Sequence, residues 1–249
     1  RVRESAARIA GYFGYASCLR RLVELCDDED DVVRRAAVEH LAGYDQRPAW
    51  SKVLETVESD SSATVRAAAA RALGQTNSAE ALAALVRATR DRNLWVRYFA
   101  LRSLGRQGVP HADALTCLAE CATRDDAPPV RIAAIDSLAA LGSPTMSRVL
   151  FALAHDSDVD VACAAVAAMA KFAPAGSEPA LRFALDSRDR RTVRAAFSTL
   201  ASQRAEYAVS PIVAIARESR DDELRGDAVV ALGRIGGRDN SRRVLRRSV

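Results

Sequence analysis

A Val-Arg step recurs along the whole chain. Arg3, Arg34, Arg66, Arg97, Arg131, Arg194 and Arg225 mark it, with Ala162 standing in for Arg in VDVACAAVAAM and Leu224 for Val before Arg225. The successive gaps are 31, 32, 31, 34, 31, 32 and 31 residues. A period of this length is the mark of a stacked array, in which one unit cannot bury its own apolar face and neighbours must cover it. The positions one before, three after and seven after each anchor are apolar with one i, i+4 spacing, as in Val65, Ala69 and Leu73 or Val96, Ala100 and Leu104. That stripe predicts one amphipathic helix per repeat, here termed the B helix. Gly11, Gly74, Gly105 and Gly233 follow the stripe, where they help to end a helix or let two helices approach closely.

A second helical pattern lies between the anchors: 19–26, 50–57, 80–89, 114–123, 146–155, 178–185 and 209–217. Each repeat is therefore two antiparallel helices, A then B. The expected fold is all-α, a right-handed superhelix spanning 1–249 as one solenoid of about seven to eight repeats. Composition agrees, because the 49% hydrophobic content holds only 5% aromatics and is mainly Ala, Leu and Val, a helical mixture. The first B helix lacks its A helix, the segment from Asn240 to Val249 reads as an A helix without its B, and neither end carries a polar cap. The chain is expected to be a piece of a longer one.

An Asp lies six residues before the anchor in Asp28/Arg34, Asp60/Arg66, Asp91/Arg97 and Asp125/Arg131. Together with B helices reading V-R-x-x-A-x-x-x-L-G, this pattern resembles the HEAT repeat, and the short period is most similar to the bacterial type also found in phycobilin lyase subunits. The resemblance implies an Asp–Arg ladder of hydrogen bonds between neighbouring turns, and B helices that line a concave groove. The physical reason for a ladder is independent of the family. An anion is favoured near a helix start, and a partly buried Arg needs a carboxylate or carbonyl partner. These eight residues are thus structural. The pattern weakens late, where Ala162 replaces Arg and Arg188 and Ser219 occupy the Asp position.

Catalytic chemistry finds little to work with. Only His40, His111 and His155 are present, none before Glu, which leaves too few imidazoles for the His-Glu iron sites of HEAT-like hydroxylases. Cys117 and Cys121 stand one turn apart on an apolar face and read as core. With Cys18, Cys26 and Cys163 they make an odd set without a C-x-x-C pair, consistent with free thiols in a reducing cytoplasm. No Gly-rich phosphate loop or Ser/His/Asp set occurs, and no apolar run approaches the ~20 residues of a membrane span. No cofactor is expected.

The departure from the repeat is NLWVRYFALRSLGRQG at 93–108, which carries Trp95, Tyr98 and Phe99 where other copies carry Ala. Positions one, five and nine after the anchor share a face off the buried stripe. In this repeat they are Tyr98, Arg102 and Arg106, with Arg71 one repeat earlier and Asp136 one later. Trp, Tyr and Arg dominate binding hot spots. The expectation is a non-enzymatic scaffold whose groove, at Arg71, Trp95, Tyr98, Arg102, Arg106 and Asp136, binds an acidic protein or peptide. The positive charge there is expected to have little acidic relief. The net charge of +4 leaves a nucleic-acid partner as the rival; chromophore handling, as in the lyases, is a second rival. The arginines Arg242, Arg243, Arg246 and Arg247 form a competing cluster.

Overall fold

The structure, a computed structural model, describes residues 2–108, 110–142, 147–172 and 177–246, with backbone only for 147, 172 and 237–246. It divides into two compact units, Arg1–Leu141 and Gly142–Val249. No strand occurs among the described residues.

In the first unit the B helices are α1 (Val2–Phe13), α3 (Asp31–Leu41), α5 (Ala63–Leu73), α7 (Leu94–Arg106) and α9 (Pro128–Leu141). They alternate with the A helices α2 (Leu19–Leu25), α4 (Arg47–Ser59), α6 (Ala79–Ala88) and α8 (Ala112–Arg124). The second unit continues with α10 (Ser147–Leu153), α11 (Val159–Phe172), α12 (Glu178–Leu185), α13 (Arg190–Ser202), α14 (Val209–Glu218) and α15 (Asp222–Arg246). All seven expected A helices are present.

The apolar stripe is buried as its period requires. Val33, Ala37, Leu41, Val65, Ala69, Leu73, Val96, Ala100 and Leu104 form one core through the first unit, and Val161, Ala165, Met169, Val193, Phe197 and Ala201 are buried in the second. The stripe is most open in α1, where Val2 is 85% exposed. Val2, Ala6 and Ala10 line an open apolar groove of about 530 Å³ instead.

Glycine sets the spacing between successive B helices. A Cβ built on Gly74 would lie 2.6 Å from Ser103 Oγ and 3.1 Å from Ser103 Cα. At Gly105 the nearest atom is Ser137 Cβ at 2.7 Å. The same approach lets the two hydroxyls bond across the repeat boundary: Ser103 donates to the Ala70 carbonyl and Ser137 to the Leu101 carbonyl, each at 2.9 Å.

One expected boundary is absent. The backbone runs helical through Gly236, Gly237 and Asn240 to Arg246, so the segment from Asn240 is a continuation of α15 rather than a separate A helix. Glycine lowers helix propensity without forbidding helix. The cluster Arg242, Arg243, Arg246 and Arg247 lies outside the residues whose side chains are described.

Candidate functional site

The Asp–Arg ladder forms, but its pairing is offset by one repeat. Arg34 donates to both oxygens of Asp60, Arg66 to those of Asp91 and Arg97 to those of Asp125, with six distances between 2.7 and 3.1 Å. Arg3 pairs with Asp28 in the same sense. The Asp six residues back contributes only its carbonyl, as with Arg66 Nη1 to Asp60 O at 2.7 Å and Arg97 Nη1 to Asp91 O at 3.1 Å. The spacing of six residues sets Asp91 beside Arg97 in the sequence, but its carboxylate belongs to Arg66. An Arg on the first turn of a B helix reaches forward to the next repeat because its own Asp is turned toward its own helix start. Each Asp accepts the N–H two residues on: Ser62 at 2.8 Å, Asn93 at 2.8 Å and Ala127 at 2.9 Å. Arg131 donates to the Ala122 carbonyl at 3.2 Å.

Burial would raise the Asp91 and Asp125 carboxyls. The Arg66 and Arg97 guanidiniums and the helix-start N–H groups outweigh it and hold both below the usual aspartate range. Hydrogen bonding to Asp91 raises Arg66 in turn, against its own burial.

This ladder places the aromatic repeat. Arg66 on α5 holds Asp91, Asp91 holds the Asn93 N–H, and Asn93 Oδ1 caps α7 by accepting from Trp95 N at 2.9 Å. Trp95 is thereby set over α5. It remains 53% exposed, while Phe99 is half-buried against the core. Tyr98, also half-buried, meets both edge to face, with centroids 5.7 Å from Trp95 and 5.2 Å from Phe99. Trp95 and Phe99 face the alanines of α5. Trp95 and Phe99 wall a cleft of about 280 Å³ floored by Ala63, Ala67 and Ala68 and rimmed by Thr64, Asn93, Arg35, Glu39 and Arg71.

Arg71, Arg102 and Arg106 are exposed on the B-helix face, as the spacing predicts. Their charge is not uncompensated, which corrects the expectation of little acidic relief. Arg71 bonds Glu39 at 3.0 Å and Arg102 meets Asp136 at 3.4 Å. The residues five after each anchor thus form a row of Glu39, Arg71, Arg102 and Asp136, each cation drawn to the acid on its outer side. Arg35 and Arg106 make no ion pair among the described residues, and they are the cations left available on this face. Arg35 stood one position after its anchor in the sequence, but without a neighbouring aromatic nothing singled it out.

All five cysteines are free thiols. Among the described residues no group of three or more His, Cys, Asp or Glu is placed to hold a metal, and no helix is long and apolar enough to cross a membrane.

Paired helices repeated at one interval and tied rung to rung by Arg–Asp bonds define an α-helical repeat protein. HEAT repeats match residues 50–139 and 147–233, and the chain belongs to that family. It is 29% identical over 153 residues, 58% of this chain and 74% of the relative, to an uncharacterized phycocyanin operon protein Z of Pseudanabaena tenuis (strain PCC 7409). Its fold is shared with a chain of the complex of CpcE and CpcF of phycocyanin lyase from Nostoc sp. PCC7120, at 21% identity, a TM-score of 0.51 and 92% of each chain. A chain of the structure in which Kap95p binds RanGDP is similar over 93% of this chain and 36% of its own length, at 16% identity and a TM-score of 0.67.

Proposed function

We propose that the chain is a non-enzymatic scaffold that binds a partner protein on the B-helix face of its first unit, around Trp95, Tyr98, Arg102 and Arg106. One observation carries the reading. A tryptophan, 53% exposed and fixed by the cap of its helix, stands beside a cleft between two arginines. Exposed, rigidly held aromatics next to Arg are the residues that dominate protein interfaces. The unpaired Arg35 and Arg106 favour an acidic partner surface. Two HEAT-like solved structures are complexes between proteins, which is consistent with the reading. Five free thiols suit a reducing cytoplasm.

The rival readings have less support. A nucleic-acid groove needs a run of free cations, and here Arg71 and Arg102 are engaged by Glu39 and Asp136. On this face the cleft of about 280 Å³ is small for the four rings of a linear tetrapyrrole.

The test is photocrosslinking in the host cell with p-benzoylphenylalanine placed at Arg106 or, as a control, at the exposed Glu80 on the A-helix side. The expected result is adducts from position 106 that resist nuclease and succumb to protease, with none from position 80. Adducts from position 106 that vanish on nuclease treatment would refute the reading in favour of nucleic acid.

A further inference from the structure

The cleft between α3, α5 and α7 has a feature that the charge of the face does not explain. Its floor is apolar and level, because α5 carries Ala63, Ala67 and Ala68 where a larger residue would close the hollow. Ala67 and Ala68 are each 6% exposed, so they lie at the bottom of the hollow rather than on the surface. The Trp95 and Phe99 rings form one side. Arg35 and Arg71 stand at the rim, and Glu39 engages only Arg71. The rim thus carries one net positive charge beside an apolar hollow.

From this we propose that the cleft is a single-residue anchor pocket: it takes one bulky apolar side chain of the partner, Phe or Leu, from a short segment whose neighbouring residues are acidic. The proposal rests on the partner-binding reading and names what that site selects. Volume sets the occupant. About 280 Å³ lies just under the ~300–1,000 Å³ of small-molecule sites, enough for one side chain and its backbone. Charge sets the flanks. An acid before or after the anchor meets Arg35, which has no other partner among the described residues, while a base meets repulsion. Ala67 is then the residue that determines size, and Trp95 the one that covers the guest.

The experiment uses dye-labelled peptides Asp-Glu-X-Glu-Asp with X as Phe, Leu or Ala, titrated by fluorescence anisotropy against the full chain. The Phe and Leu peptides are expected to bind about tenfold or more tightly than the Ala peptide, since burying an apolar side chain is worth more than one tenfold step. Ala67→Leu, which fills the hollow, should bring that ratio to about one. Trp95→Ala removes a wall residue that is 53% exposed, and should do the same. Arg35→Gln with Arg71→Gln should weaken all three peptides equally and leave the ratio intact. Equal binding of the three peptides, or a ratio retained in both Ala67→Leu and Trp95→Ala, overturns the pocket while the partner-binding reading stands. Absence of binding by every peptide overturns it too, and crosslinking at position 106 still reports on the face. Tighter binding of an oligo-dA strand than of any peptide assigns the hollow to a base and overturns both.

Discussion

Arg66→Ala tests the ladder where it is most enclosed. The Arg66 and Asp91 side chains are 6% and 13% exposed. Arg66 makes four hydrogen bonds, two to Asp91 and two to the carbonyls of Asp60 and Ser61. Truncation leaves a buried carboxylate without its cation, a change that costs about 3–5 kcal/mol. For a chain of this size that is a fall in Tm of about 6–20 °C. The comparison is Arg71→Ala, whose ion pair with Glu39 is half-exposed and worth ~0–1 kcal/mol. Both are measured by urea unfolding followed by circular dichroism at 222 nm. The double variant Arg66→Ala/Asp91→Ala should lose clearly less than the sum of its parts, because neither charge is then stranded. pH gives an independent check. The folded Asp91 carboxyl lies below its ordinary value of 3.8, so its stabilisation is present above that pH and is lost as pH falls through the folded value. The gap between wild type and Arg66→Ala should thus be full at pH 7 and narrow below 3.8. Additive single variants, or an Arg66→Ala cost no larger than that of Arg71→Ala, would refute the ladder as the tie between repeats.

The offset of the rungs makes Arg97→Ala raise the pKa of Asp125 and leave that of Asp91 low, which carboxyl-carbon NMR titration reads directly; a rise at Asp91 instead would restore pairing within the repeat. Gly74→Ala should destabilise by about 1–3 kcal/mol, since its Cβ would press on Ser103, whereas Gly43→Ala, whose Cβ meets nothing closer than the His40 carbonyl at 3.5 Å, should change thermal melts by less than ~1 kcal/mol. Burial pushes the Cys26 thiol up to about 12, so a maleimide at pH 8 should leave it unmodified in the folded chain and label it only in urea; the mass of the tryptic peptide decides.

The helices were legible because their signal repeats. The stripe of Val65, Ala69 and Leu73 recurs in register down the chain, and a pattern seen many times is hard to misread. The face opposite was legible for the same reason, which put Arg71, Arg102 and Arg106 outward. Partners across repeats were not. Asp91 is six residues from Arg97 and 25 from Arg66, and sequence proximity favours the wrong one; only the turn at Asn93 shows that the carboxylate is already engaged with its own helix start. The acids Glu39 and Asp136 were visible, but their side-chain reach toward Arg71 and Arg102 depends on the distance between B helices, which Gly74 and Gly105 set. The Ala67 floor escaped notice because alanine carries no chemistry, and it becomes informative only once Trp95 is seen to overhang it. The end of α15 was misjudged because a glycine pair permits a stop without imposing one.

A forward-reaching rung has a consequence for ancestry. Arg34, Arg66 and Arg97 present the same fork to the Asp that opens the following repeat, and Asp60, Asp91 and Asp125 receive it in like fashion. Excision of one whole period would bring Arg34 to Asp91 with the geometry it now has with Asp60, and duplication would insert a rung that fits both neighbours. Such a chain can lengthen or shorten by recombination in steps of one period without first inventing new contacts. The aromatic repeat is the part that cannot be copied freely, because its cleft is shared: the wall comes from one repeat, the floor from the repeat before, and Arg35 from the repeat before that. Shuffling that keeps the ladder can still erase the site, so order among these three repeats, rather than their number, is what selection on binding would preserve.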